Sequence, residues 1–494
     1  MNRKKSNIIY LVMLSGVLLL FTARCTKLVE KPTDFVGPDN FYNSPSQIES
    51  AFTASMDVLF GGWAFYDWYR YPEIFDMDDQ VYDGDLVIGD GLGNACWSKH
   101  YQAIADLNPA IKALNNGNLR ATTSQEDQDV LMAQAKFLRA WNYFMLVRYY
   151  GDVPLITDTT DVTSTDNIFK YNIIRSPIAD VYDFIVNDLL FATQKLPAAW
   201  GAGDRARPTA DAAKTLLAKV YITMATAPMN DASNYAKARD MAKQVMDVGN
   251  YSLVPDVADV FKMDKEFGPE FMWSFHNSQE EYVIEPQIWL PGDMAGGWGD
   301  IKTEQRWALA YPNEPRRDSY LIFSDVIFGT GTTYLTWDGT TPYVRKYLYD
   351  SPDNILKDVS YECMPILRYA DALLLFAEAE NMVSGPTQAA CDAVNQIVDR
   401  ATGGVPNVAD PKFTTAMSKQ AFDDAVIQQR NWELCFEYDR WFDIQRKRIL
   451  DKVCDPNYLQ NFSMYDYLLP IPQKDLRLNK NLIQNPGYTN PNGK

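Results

Sequence analysis

Histidine is almost missing from this chain: 494 residues hold only His100 and His276, far apart in sequence. A metal centre or catalytic triad built on imidazole would rest on thin material. The six cysteines, at positions 25, 96, 363, 391, 435 and 454, show no CxxC or CxxH spacing, which argues against a zinc site. No G-x-S-x-G, HExxH, Walker loop or GxGxxG set between a strand and a helix occurs, so the usual signatures of catalysis are lacking too. Positive charge is short: 46 Lys and Arg face 64 Asp and Glu, for a net charge of −18. Such a field repels nucleic acid and anionic headgroups but accepts a neutral ligand or a cation. Its plainest use is solubility. After residue 21 there is no apolar run long enough to span a bilayer.

What is present suits a large ordered protein. Hydrophobic residues make up 47% and aromatics 13%, ample for a core. The N-terminus reads as an address: Arg3, Lys4 and Lys5, an apolar run from Ile8 to Phe21, then Thr22-Ala-Arg-Cys25. Basic head, short apolar core and small residues before a cysteine are the pattern of a lipoprotein signal covering 1–24, with Cys25 as the lipidated first mature residue. Arg24 departs from that pattern, which wants a small residue there. Removing the segment takes the charge to about −22. Five cysteines would then remain, an odd number, and the sequence does not say whether any pair.

Helical patterning governs the next 200 or so residues. Helices are expected over Gln47 to Phe60, Val130 to Tyr150, Ser176 to about Leu196, Thr209 onward, and Asn234 to Val248. Gly151-Asp-Val-Pro154 stops the second, Ser176-Pro177 starts the third, and Gly249-Asn250 ends the fifth. Ala213, Leu216, Leu217, Val220, Tyr221 and Met224 form one apolar stripe. From about 255 to 360 Gly, Pro, Asp and Trp accumulate, and no helix of usual length fits. Helical character returns at Pro365, read as opening a helix through Ile366, Ala370, Leu373, Ala377 and Glu380. Residues 427–446 read as one helix with Ile427, Arg430, Leu434, Glu437 and Trp441 on one face, and with Cys435 as a small core residue inside it. The expectation is a mainly α fold: tetratricopeptide-like helical hairpins, without strict repeat register, carrying a loop-rich, irregular or partly β insertion.

The chemistry-bearing residues are aromatic. Gly61-Gly-Trp-Ala-Phe-Tyr-Asp-Trp-Tyr-Arg-Tyr71 holds six rings in eleven residues, and Trp97, Trp289, Trp298, Trp307 and Trp337 follow. A pyranose presents a flat patch of C–H groups that stacks on indole or phenol, so Trp63, Tyr66, Trp68, Trp97, Trp289, Trp298 and Trp337 are the candidate ligand contacts. Core packing is the competing use of each one. Asp76, Asp78, Asp79, Asp83, Asp85 and Asp90 line an acidic loop. It is read as solvated, with calcium as the alternative; Gln80 stands where a third oxygen ligand belongs, and no closing Glu follows. Glu433 and Glu437 could be cast as a glycosidase pair, but Arg430 and Arg440 are interleaved with them. That pairing would neutralise both carboxylates and depress their pKa values, which is wrong for a general acid. No catalytic residue is assigned.

One motif goes further. Arg430, Glu433, Leu434, Glu437, Arg440, Trp441, Asp443 and Arg446 spell Arg-x-x-Glu-Leu-x-x-Glu-x-x-Arg-Trp-x-Asp-x-x-Arg, which resembles the C-terminal signature of the SusD/RagB family of outer-membrane lipoproteins. Leu28-Val-Glu-Lys-Pro-Thr-Asp34, Ala135 to Phe144, Leu146 to Leu155, Arg207 to Tyr221, Ile366 to Glu380, Leu469-Pro-Ile-Pro472 and Asn485-Pro-Gly-Tyr488 are similar to further blocks of that family. The resemblance implies one domain over 25–494, its helical scaffold at about 40–250 and 362–450 and a ligand-side region at about 255–360. It implies a cell-surface protein, lipid-anchored to the outer membrane, that captures an oligosaccharide and delivers it to a SusC-like TonB-dependent barrel as a lid. A peptide-capturing relative, a surface glycoside hydrolase and a protein-only tetratricopeptide adaptor are the other readings.

Overall fold

Among the described residues, six helices occupy the first half of the molecule, and their ends follow local chemistry. The computed structural model describes residues 41–60, 92–160, 173–275, 303–327, 333–335, 339, 342–349, 361–437, 439–453 and 463–489; Tyr42–Lys494 form one compact unit. The helices are α1 (Pro45–Phe60), α2 (Leu92–Asn116), α3 (Gln125–Tyr150), α4 (Ile178–Lys195), α5 (Ala210–Ala225) and α6 (Asn234–Val248). Ser124 caps α3 by accepting from the Asp127 N–H, and Glu126 and Asp127 complement its dipole. Gly151, at φ 71°, ends it and donates its N–H to the Val147 carbonyl at 3.0 Å. Thr209 caps α5 through the Ala212 N–H.

Each of these helices packs on the next, from α1 on α2 through to α5 on α6. From Leu131 on, α3 is buried nearly all round. Two arginines go down with it, each compensated. Arg139 meets Asp188 and Asp158, both at 2.8 Å. Arg148 reaches Asp439 at 3.2 Å, with the Phe144 and Phe442 rings 3.9 and 3.7 Å from its guanidinium.

The expected irregular region holds β1 (Phe271–Phe275), α7 (Gln305–Ala310), α8 (Pro315–Tyr320), β2 (Leu321–Ile322), β3 (Val326–Ile327), β4 (Thr333–Leu335) and β5 (Tyr343–Val344). Then follow β6 (Met364–Arg368), α9 (Tyr369–Ser384), α10 (Gln388–Ala401), α11 (Lys419–Glu433), α12 (Arg440–Lys447), α13 (Leu450–Val453) and α14 (Gln473–Leu478). Helix α6 packs on α9, which carries α10 and α11, so the two helical stretches share one core. The strands pair antiparallel as β1–β6, β2–β5 and β3–β4. The described fold is mainly α, with paired helices and small β ribbons. Among the described residues no helix is long and apolar enough to cross a membrane.

Three expectations need correction. Pro365 does not open a helix: Met364–Arg368 is a fully buried strand paired with Phe271–Phe275, and the helix begins at Tyr369. A short apolar run has no periodicity that separates buried strand from helix, and a two-stranded ribbon tolerates proline. Residues 427–446 are not one helix. The chain leaves α11 at Leu434, passes Phe436 at φ 62°, and starts α12 at Arg440, so Cys435 lies buried in the turn. Finally, the stretch holding Trp97 is the helix α2.

Candidate functional site

The turn after α11 needs partners, because the last carbonyls of a helix have none within it. Here they come from far along the chain. Lys346 Nζ donates to the carbonyls of Cys435 (2.7 Å) and Glu433 (3.2 Å), Tyr347 Oη to that of Phe436 (2.6 Å), and Arg368 Nη2 to that of Glu433 (2.6 Å). Three donors from β5's following turn and from β6 thus fix a break that no glycine or proline announces.

The same cations gather the signature carboxylates. Glu433, fully buried, receives Arg368 and Arg400 at 2.6 Å each on one oxygen and Arg316 at 3.2 Å on the other. Glu437 takes Lys346 at 2.5 Å and Arg368 at 2.6 Å. Glu270, just before β1, closes the circuit with Arg368 (2.8 Å) and Arg400 (2.5 Å). The arginines expected to neutralise Glu433 and Glu437 were Arg430 and Arg440. Arg430 instead reaches Asp371 on α9 and, across the break, Asp443 on α12, both at 2.7 Å. Burial alone would raise the Glu433 carboxyl, but Arg400, Arg368 and Arg316 outweigh it and hold it well below the usual carboxylate range. A sealed, ionised carboxylate cannot act as a general acid. Farther along, Arg446 grips Glu378 at 2.5 Å and Asp443 at 2.7 Å, and Glu378 too is held low against its burial.

Of the aromatic candidates, Trp97 lies among the described residues, and it is core. It is 5% exposed, its ring edge-on to Tyr150 at 5.0 Å and tilted against Tyr101 at 4.8 Å. That burial leaves it no face for a ligand. Trp63, Tyr66, Trp68, Trp289, Trp298 and Trp337 lie outside the described residues, as do Cys25, the signal segment, the Asp76–Asp90 loop and His276. Trp307, half-buried, donates from Nε1 to Asn431 at 3.1 Å. His100 is buried, its Nδ1 2.8 Å from the Asn142 oxygen, and burial drives its pKa down to about 4. It serves as a neutral core group.

What the described structure does give is the root of two aromatic segments. Phe60 ends α1, and the segment 61–91 begins after it; Phe275 ends β1, and the segment 276–302 begins after it. Their rings stack at 4.4 Å and 16°. Phe60 also stacks on Trp141 of the buried helix α3, which meets Trp273 of β1 edge-on at 5.4 Å. Phe60 and Phe275, 215 positions apart in sequence, thus end their elements in one aromatic cluster, a juxtaposition with no signal in the sequence.

Comparison with known proteins follows that geometry. A family model described as "SusD family" matches residues 228–488, and one described as "Starch-binding associating with outer membrane" matches residues 46–222. The "SusD-like protein P2" of Formosa agariphila is 27% identical over 96% of this chain and 98% of its own. A SusD superfamily protein from Parabacteroides distasonis superposes with a TM-score of 0.75 at 26% identity, over 89% of this chain and 99% of that one. The "Surface glycan-binding protein A" from Bacteroides uniformis shares the fold, with a TM-score of 0.72 at 20% identity over 90% of this chain and 99% of that one.

Proposed function

This chain belongs to the SusD family, and on that footing we propose that it is an outer-membrane protein that captures an oligosaccharide without cleaving it. The family model matching residues 46–222 is described as starch-binding and outer-membrane-associated, and the Bacteroides uniformis neighbour is a surface glycan-binding protein. The observation that carries the reading is the shared root at Phe60 and Phe275. Two segments rich in tryptophan and tyrosine depart from one rigid aromatic cluster, which suits a ligand gripped by stacking rings from both. Trp63, Tyr66, Trp68, Trp289, Trp298 and Trp337 are the proposed contacts. Lipid on Cys25 would hold the protein at the membrane, and a SusC-like TonB-dependent barrel would receive the ligand.

Calorimetric titration with a panel of neutral oligosaccharides and peptides tests this. Trp68→Ala or Trp298→Ala should weaken binding of the responding glycan roughly tenfold or more while leaving the melting temperature unchanged. Unaltered affinity across all six alanine variants would sink the site assignment. Release of reducing ends from any bound glycan would show a hydrolase instead.

A further inference from the structure

A cleft lies where three segments meet, beside the charge network. The turn Val257–Val260 is flanked by Asp256 and Lys262; the residues before α8 bring Asn313 and Glu314, the latter held by Arg316 at 2.7 Å; α8 brings Asp318, held by Arg317 at 2.9 Å, and Ser319; the turn after β5 brings Arg345 and Tyr349. The cleft encloses about 640 Å³, within the ~300–1,000 Å³ usual for small-molecule sites. Polar and apolar surface line it in nearly equal share, as a ring with hydroxyl edges and C–H faces requires.

Its two cations are placed differently. Lys262 is held by Asp259 at 2.7 Å and Asp256 at 3.4 Å. Arg345 has no carboxylate partner among the described residues. Its guanidinium donates once, from Nη1 to the Asp318 carbonyl at 3.2 Å, and lies 5.3 Å from the Tyr349 ring centroid. Tyr349 is pinned in turn, its hydroxyl donating to the Ser319 carbonyl at 2.8 Å. The Arg345 N–H donates to the Tyr320 carbonyl at 2.7 Å, so the backbone is fixed as well. Elsewhere in this acidic protein Arg316, Arg368 and Arg400 each sit between carboxylates. Among the described residues, Arg345 is a pre-oriented guanidinium with Nε and Nη2 still to spend, lining an open cleft.

We propose that this cleft is a second saccharide site, and that it takes an acidic sugar unit. The sugar's carboxylate docks on the planar donor fork of Arg345, whose geometry matches two carboxylate oxygens. Asp256, Asn313 and Asp318 receive or donate hydroxyl hydrogen bonds around it. The proposal rests on the glycan reading above but uses none of the tryptophan segments.

The test is calorimetric titration of the mature chain with an oligogalacturonate and with its carboxyl-reduced, neutral counterpart. The wild type should bind the acidic form roughly tenfold to a hundredfold more tightly, the range expected for a charge-assisted hydrogen bond, and that preference should shrink with added salt. Arg345→Gln should abolish the preference. Equal affinity of the wild type for the two forms, no binding of either, or a preference that survives Arg345→Gln would each overturn the proposal. Because the first comparison uses only wild-type protein, misfolding of a variant cannot mask the answer. A neutral glycan whose binding still responds to Trp68→Ala, with no acid preference anywhere, would retire the cleft and leave the tryptophan reading standing.

Discussion

Glu433→Gln is the sharpest test of whether the signature carboxylates are scaffold or machinery. The substitution keeps the shape and removes one negative charge from among Arg316, Arg368 and Arg400, which lie 2.6–3.2 Å from its oxygens. It also turns one acceptor oxygen into an NH₂ donor facing guanidinium donors. Breaking a buried ion pair from one side costs about 3–5 kcal/mol. Glu270 and Glu437 still serve Arg368, so the lower end, about 3 kcal/mol, is expected. At about 2.1 cal/mol/K per residue, a unit the size of Tyr42–Lys494 has an unfolding entropy near 1 kcal/mol/K. The melting temperature should therefore fall by about 3 °C at pH 7, read by scanning calorimetry. The pH dependence follows from the depressed folded-state pKa. The carboxylate's contribution is present above the unfolded value near 4.5 and is lost as pH falls below it, so wild type and variant should converge between roughly pH 4.5 and pH 2. Below its melting temperature the variant should bind glycan like the wild type. An unchanged melting temperature at pH 7 would refute the network energetics, and a folded variant that cannot bind would refute the scaffold role.

Three further outcomes follow from the geometry. Phe60→Ala removes the ring shared by Phe275 and Trp141; it should cost about 3–5 kcal/mol and weaken glycan binding well below the melting temperature, since both aromatic segments lose their common root. Retained affinity would separate the root from the site. Asp410 and Glu314 both meet Arg316; burial raises the Asp410 carboxyl to about 7, Arg316 opposing and Glu314 adding to the rise. Its folded-state pKa lies above its unfolded one, so the stability it contributes is fully present below about pH 4 and is lost as pH climbs through 7. Asp410→Asn should erase that slope, its melting temperature gaining on the wild type from pH 5 to pH 8; parallel curves would contradict the assignment. Lys346→Met strips the Cys435 and Glu433 carbonyls and the Glu437 carboxylate of a donor; about 3 kcal/mol or more of stability should go in denaturant unfolding, and a neutral result would mean water replaces the ammonium.

The helices were legible where the chain announces its own caps. Thr209 and Gly249 stand at the boundaries of α5 and α6, and local chemistry decided both. The misreadings fall where distant groups decide. Leu92–Asn116 carries Pro109 inside it and begins beside a glycine-rich stretch, so no helix is expected around Trp97 from the sequence. In the fold, the apolar face of that helix is spent on α1 and α3, and tertiary packing overrides the breaker. At Met364–Arg368 the pairing strand lies about 90 residues upstream, beyond the reach of any local period.

The signature shows the same limit at its functional edge. Read as an unbroken helix, Glu433 and Glu437 stand four apart and Arg430 and Arg440 flank them, which makes a local charge ladder. The turn at Phe436 dismantles that ladder, and what holds the turn open is Lys346 and Tyr347, from the region that looked structureless in sequence, and Arg368, from a segment that read as helix. The irregular middle of the chain is therefore structural where it meets α11. Arg345, on the turn after β5, takes no part in holding the signature, and the proposed ligand contacts lie outside it. A family identified by its buried arginines and carboxylates is thus identified by what fixes the scaffold, and its specificity has to be sought on the opposite side of those same segments.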